Sequence, residues 1–107
     1  MKVYIIRKRG EINATAEYNP ETKECTVLAG SVLSSKIAAS EKFRGAHTIE
    51  NARKGRVEKG VLKEDVVFKS ASTAANFVTG SSTNGLITWK TEDGRTIKKI
   101  LEDDINE

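Results

Sequence analysis

Ile12, Ala14, Ala16 and Tyr18 alternate with Asn13, Thr15 and Glu17. This period of two marks a strand with one face in a core and the other in water. Before it, Val3, Tyr4, Ile5 and Ile6 form an unbroken run of strand formers. The run predicts a strand over Lys2–Lys8, buried on both faces or central in its sheet. Arg9-Gly10 reads as the turn between the two. Asn19-Pro20-Glu21-Thr22 reads as the next turn, and Glu24–Leu28 as a third strand with Cys25 and Val27 on one face. Links this short are compatible only with antiparallel pairing, so the three strands form a meander.

The middle of the chain is less regular. Val32–Arg44 is rich in Ser and Lys and reads as a long loop. Ala46–Lys59 predicts a helix, with Ala46, Ile49, Ala52 and Val57 as a loose apolar face and Gly60 past its end. Glu50 and Lys54 form an i, i+4 pair in the better orientation, while Gly55 weakens the helix from inside. Val66–Phe68 is a short extended lead into the next element.

That next element has the strongest signals. Ser70 occupies an N-cap position. Ala71, Ala74, Ala75 and Val78 recur at helical spacing, Phe77 widens the face, and Gly80 suits the left-handed C-terminal cap. The polar loop Ser81–Gly85 ends in an Asn-Gly turn signal. Leu86–Lys90 predicts a strand with Ile87 and Trp89 on one face, and Asp93-Gly94 a reversal. Thr96 is placed to cap a last helix, Ile97–Glu102, with an acidic tail over 102–107 that frays. The fold class is α+β: one domain over 1–107, an antiparallel sheet made of the N-terminal meander and a strand near 86–90, and two or three helices on one face.

Phe68, Ser70, Ser72, Ala74, Ala75, Val78, Gly80, Ser82, Asn84, Gly85, Trp89, Lys90 and Gly94 stand in a distinctive order. The run resembles F-x-S-P-S-x-A-A-x-x-V-x-G-x-S-x-N-G-x-x-x-W-K followed by a Gly. That is the pattern of an uncharacterised domain family found C-terminal to GIY-YIG nucleases and in restriction-associated proteins. Ala71 stands where the pattern has Pro, and Leu86 where an aromatic residue is common. The stretch around Arg56, Gly60, Val61 and Leu62 resembles the upstream half of the same family, with Arg56 replacing a large apolar residue. The resemblance implies company with nucleic-acid enzymes. The GIY-YIG motif is absent, so it implies no nuclease activity for this chain.

Charge sharpens that implication. The chain carries a net +3, but Glu102, Asp103, Asp104 and Glu107 crowd its end. Without them, eleven acidic residues face eighteen basic ones, a body of +7. A basic body with an acidic tail suits a polyanion binder whose tail screens its own surface; solubility alone explains the same charge. No apolar run reaches the roughly 18 residues of a membrane helix. The apolar stretch in MKVYIIRKRG is four residues long, too short for a signal peptide. A single cysteine gives no disulfide framework. The expected setting is the cytoplasm, away from membranes.

Catalytic chemistry is thin. His47 is the only histidine and Cys25 the only cysteine, and no ligand spacing supports a metal. Glu64-Asp65 and Asp103-Asp104 are sequence neighbours, which do not face one another as an acid/base pair must. Gly80-x-x-x-x-Gly85 is followed by Leu86 and Ile87, where a phosphate-binding loop needs Lys and Ser or Thr. Neither an enzyme nor a cofactor is expected. The candidate nucleic-acid contacts are Ser82, Asn84 and Gly85 in the polar loop, Trp89 as a stacking surface with Lys90 beside it, and Arg53, Lys54, Arg56 and Lys59 for phosphates. The ordinary alternatives are turn formers, a core Trp and a solvated helix face. The reading is a non-catalytic accessory domain that binds DNA or RNA, working with a nuclease or restriction-modification protein. The alternative is a protein-interaction or structural docking domain.

Overall fold

The N-terminal alternation becomes a sheet. The computed structural model describes residues 1–37 and 46–105. In it, β1 (Lys2–Arg7), β2 (Ile12–Tyr18) and β3 (Cys25–Val27) form the expected antiparallel meander. Val3 lies opposite Ala16, and Tyr18 opposite Cys25. The Asn19 side-chain oxygen accepts from the N–H groups of Glu21 (2.9 Å) and Thr22 (3.3 Å), which closes the turn before β3. Ile12, Ala14, Ala16 and Tyr18 are buried, as their alternation predicts. The apolar run in β1 is not buried on both faces. Val3 and Ile5 enter the core, but Ile6 is 63% exposed, because β1 ends the sheet and one sheet face is open.

The structure departs from the single helix expected over Ala46–Lys59. α1 (Ala46–Arg53) stops early, at a turn in which Gly55 takes φ +78°. A two-stranded hairpin follows, β4 (Val57–Glu58) and β5 (Val61–Leu62). Lys59 and Gly60 both have positive φ at its tip, the primed geometry that matches strand twist. The hairpin pays off through tertiary pairing: Val61 bridges Val32, and Val32 bridges Asn13 of β2. That bridge also gives the start of the expected Val32–Arg44 loop a partner; the rest of that expectation, from residue 38 onward, lies outside the described residues.

The fourth strand of the main sheet is β6 (Val66–Phe68), paired with β3, giving the order β1-β2-β3-β6. α2 (Ala71–Thr79) then crosses the sheet. Ser70 caps it by accepting from Thr73 N–H, and Gly80 ends it at φ +71°. Its buried face is Ala71, Ala74, Ala75, Phe77 and Val78, where the small alanines let helix and sheet approach closely.

Residues 86–90 do not form a strand. Asn84 caps a single helical turn, α3 (Gly85–Thr88), and Trp89 leaves it in extended conformation. Ile87 is 49% exposed and Trp89 is 0% exposed, so the two point to opposite sides. Local β propensity loses here to tertiary contact. A Cβ on Gly85 would fall 2.2 Å from the Ala71 carbonyl carbon. The Trp89 indole N–H donates to the Ala71 carbonyl at 2.9 Å. Helical compaction is what brings both residues onto the start of α2.

α4 (Ile97–Ile105) is capped by the Thr96 hydroxyl, which accepts from Lys99 N–H. It buries Ile97 and runs past Glu102, so the first part of the acidic tail is helical rather than frayed. Lys98 pairs with Glu102 at 4.0 Å, and Lys99 with Asp103 at 3.2 Å, within the helix. Among the described residues no helix is long and apolar enough to cross a membrane.

The close approach at Gly85 makes a testable contrast. Gly85→Ala should lower unfolding free energy by about 3 kcal/mol, the upper range of overpacking losses. Gly94→Ala, where a Cβ meets open space at φ +87°, should cost about 1 kcal/mol from its backbone alone. Urea denaturation of the two variants checks the difference.

Candidate nucleic-acid interface

The loop expected to touch nucleic acid is largely occupied with holding itself together. The Asn84 carboxamide oxygen accepts from Leu86 N–H at 3.1 Å. Thr83 donates through its N–H to the Asn76 side-chain oxygen at 2.9 Å. Gly85 N–H donates to the Ser72 hydroxyl at 2.9 Å, and Gly85 is buried. Trp89 is wholly buried with its one donor spent on Ala71, so it offers no face to a base. Ser82, Asn84 and Lys90 remain exposed.

The four cations expected on one helix also separate. Arg53 turns inward. Its guanidinium donates to the Phe77 carbonyl (2.6 and 3.1 Å), to the Ser34 carbonyl (3.0 Å) and to the Ser34 hydroxyl (3.0 Å). It also sits 5.7 Å from the centre of the Phe77 ring. The guanidinium therefore satisfies carbonyls of the last turn of α2 and complements the negative end of that helix. Burial lowers its pKa from the ordinary value. It joins α1, α2 and the Ser34 segment, and it is not presented to a phosphate. Arg56 bonds the Ala52 carbonyl at 3.0 Å and lies 3.8 Å from Glu64. Lys54 and Lys59 are exposed, Lys59 at the tip of the β4–β5 hairpin rather than on α1.

A different group of residues comes together on the open face of the sheet. Tyr4 N–H donates to the Lys90 carbonyl at 2.7 Å, and Lys90 N–H to the Tyr4 carbonyl at 3.0 Å. Residues paired this way project to the same face. Val3 and Ile5 take the core face of β1, so Tyr4 and Lys90 share the open one, while Trp89 goes inside. Thr15 is the partner of Tyr4 on β2. A groove beside β1 is lined by Tyr4, Ile6, Arg7, Ile87 and Lys90. Beyond it, Arg7 and Arg9 are exposed at the β1–β2 hairpin tip, with Arg9 at φ +56°.

Charge on this side is mixed but mainly positive: Glu17 stands directly opposite Lys2 on β2, and Glu92 and Asp93 line a depression with Lys2 and Tyr4. Among the described residues, Lys2, Arg7, Arg9 and Lys90 form no salt bridge, as is also true of Lys23, Lys54, Lys59 and Lys69 elsewhere on the surface, whereas Lys63, Arg95, Lys98 and Lys99 each have a carboxylate partner. Glu17, on the same face, lies 3.8 Å from the N-terminal ammonium. Asp93 borders the neighbouring depression. Its carboxyl is held below the usual range first by the Thr91 hydroxyl and then by Arg95, which sits at 2.8 Å. The sequence signal for this surface is the run Arg7-Lys8-Arg9 and the spacing Lys2-x-Tyr4-x-Ile6. Reading Val3–Ile6 as doubly buried conceals it.

The sequence model of a family described as Domain of unknown function (DUF4357) matches residues 4–101. The chain belongs to this family. No curated protein and no solved structure matches it. For this DUF4357 domain, the pattern over Phe68–Gly94 acquires a physical meaning. Ser70 and Asn84 are caps, and Gly80 is the left-handed helix end. Ala74, Ala75, Val78 and Trp89 are core, while Ser72 and Gly85 form the contact between α2 and α3. The pattern specifies a packed joint.

The remaining reactive groups are placed plainly. His47 stands in solvent, 3.8 Å from Glu50. Cys25 is fully buried in β3, and burial pushes its thiol up to about 12.

Two measurements follow from these placements. Arg53→Ala should lower stability by about 2 kcal/mol, because buried carbonyls lose charge-assisted donors; chemical denaturation reads this directly. For Cys25, thiol reagents should label the native domain only after denaturant is added. An unfolded thiol ionises near pH 8.5, so above that the unfolded chain releases a proton that the folded one keeps. Stability should therefore fall as pH rises from about 8.5 towards 12, by up to about 1.4 kcal/mol per pH unit from this group. Cys25→Ala should show a correspondingly flatter profile. Tyr18 is raised in the same direction, mainly by burial, so the wild-type minus variant difference is the quantity to compare.

Proposed function

We propose that this DUF4357 domain is a non-catalytic, cytoplasmic accessory module that binds DNA or RNA beside a nuclease or restriction-modification protein. The observation carrying the reading is the set of cations around the β1 edge. Arg7 and Lys90 line a groove with Tyr4, Lys2 lies beside Tyr4 on β1 opposite Glu17, and Arg9 is exposed at the hairpin tip; among the described residues none of the four forms a salt bridge. Two lysines of α4 are instead engaged by Glu102 and Asp103, so that part of the acidic end compensates its own helix. Exposed cations without local partners attract phosphates and release counterions on binding. The company of nucleases implied by the Phe68–Gly94 pattern points the same way.

A second reading has its own support. Ile6 (63% exposed), Val67 (58%) and Val61 (37%) are large apolar side chains left in solvent. Such residues suit docking onto another protein.

A salt titration separates the two. Fluorescence anisotropy with labelled DNA and RNA should show affinity falling steeply with salt. Each phosphate contact contributes about 0.7 to 0.9 to the slope of log K against log salt. Arg7→Gln with Arg9→Gln should reduce that slope by about 1.5 and weaken all sequences alike. Lys98→Gln with Lys99→Gln should leave it unchanged. An absence of binding to DNA and RNA at low salt would reject the proposal in favour of protein docking.

A further inference from the structure

We infer that the ligand is a single strand, laid across the open face of the main sheet with a base stacked on Tyr4. This rests on the nucleic-acid reading above and specifies the form of the ligand. The cross-strand pairs place Lys90 on one side of Tyr4 and Thr15 on the other. Lys2 and Ile6 lie two residues away along β1 on the same face; Asn13 is the partner of Ile6, and the Glu17 carboxylate that of Lys2. Neighbouring strands are about 4.8 Å apart, and same-face residues along a strand about 6.8 Å. One half-exposed aromatic ring therefore has a cation, a hydroxyl, an amide and an aliphatic side chain within the reach of one or two nucleotides.

This composition fits a splayed base better than a duplex. Stacking needs an accessible base face, which a duplex keeps inside its own stack. An aromatic on a flat sheet can take any base, with flanking cations following the backbone. Duplex reading calls for a helix or ribbon entering a groove. α2 instead packs against the core face of the sheet, opposite Tyr4. Charge favours nucleic acid over a protein strand as the occupant: Lys90 and Arg7 line the groove beside the ring, Lys2 lies along β1 opposite Glu17, and Arg9 is exposed at the hairpin tip, four cations against the one carboxylate that β1 and β2 place on this face. Asn13 and Thr15 supply the polar groups that meet base edges. The fully buried Trp89, next in sequence to Lys90, takes the core side of the sheet where Tyr4 takes the open one.

The test compares a fluorescein-labelled oligothymidylate of about 16 nucleotides, long enough for one small binding face, with a duplex of equal length. The single strand should bind at least tenfold more tightly. Tyr4→Ala should weaken single-strand binding by about tenfold, the loss expected for one stacked base, and leave the weak duplex binding unchanged. Tyr4→Phe should bind like the wild type, because the ring and not the hydroxyl carries the contact. Lys90→Gln should reduce the single-strand salt slope by about 0.7. If Tyr4→Ala fails to fold by circular dichroism, Tyr4→Thr keeps a strand former at the position and takes its place. Equal binding of duplex and single strand, or full affinity without the ring, would overturn the inference while leaving electrostatic nucleic-acid binding standing. No binding of either probe by the folded wild type would overturn both.

Discussion

The start of α2 is where the two halves of the domain are locked together. The Ala71 carbonyl accepts from the Trp89 indole, and the Gly85 backbone lies against Ala71 and Ser72 at a distance that leaves no room for a side chain. A buried indole N–H without an acceptor costs about 1–3 kcal/mol, so Trp89 and the first turn of α2 specify each other. Ser70 and Ser72 belong to the same joint: one hydroxyl starts the helix, and the other receives Gly85. From here Trp89 hands the chain to Lys90, which bridges both Tyr4 and Thr96. The sheet edge, the helix layer and α4 are thus positioned from one contact.

The joint explains why a family pattern can be recognisable without showing a function. Caps, a left-handed end, a close backbone approach and a buried aromatic are demanding requirements, each met by few residue types. They stand out in a sequence. Surface cations on a strand have no such signature, since many charged faces do nothing but solvate the protein. The most conspicuous stretch of this chain is therefore its architecture, and the strand surface around Tyr4 is set by ordinary-looking residues.

Legibility follows the same division. The meander and α2 are readable because alternation, capping and a left-handed Gly act locally. Residues 86–90 mislead because Leu, Ile, Thr and Trp favour a strand, while Asn84 and the contact with Ala71 wind them into a turn. Ala46–Lys59 misleads because the pairing of Val61 with Val32, which rewards an early helix stop, is remote in sequence. Arg53 reads as a surface cation, since nothing local reveals the carbonyls of Phe77 and Ser34 that turn it inward. Of the expected contacts, Lys90 alone lies beside the half-buried ring of Tyr4, and its only sequence signal is its place next to Trp89.

The pairing at Lys90 has another consequence, for how the domain behaves in a crowd. An end strand such as β1 is a template on which further strands can assemble, chain upon chain. Here a single residue occupies the middle of that template, and it brings a positive charge with it. The Lys90 backbone thereby fills the outward donor and acceptor of Tyr4, so at that position the edge offers no free group to a further strand.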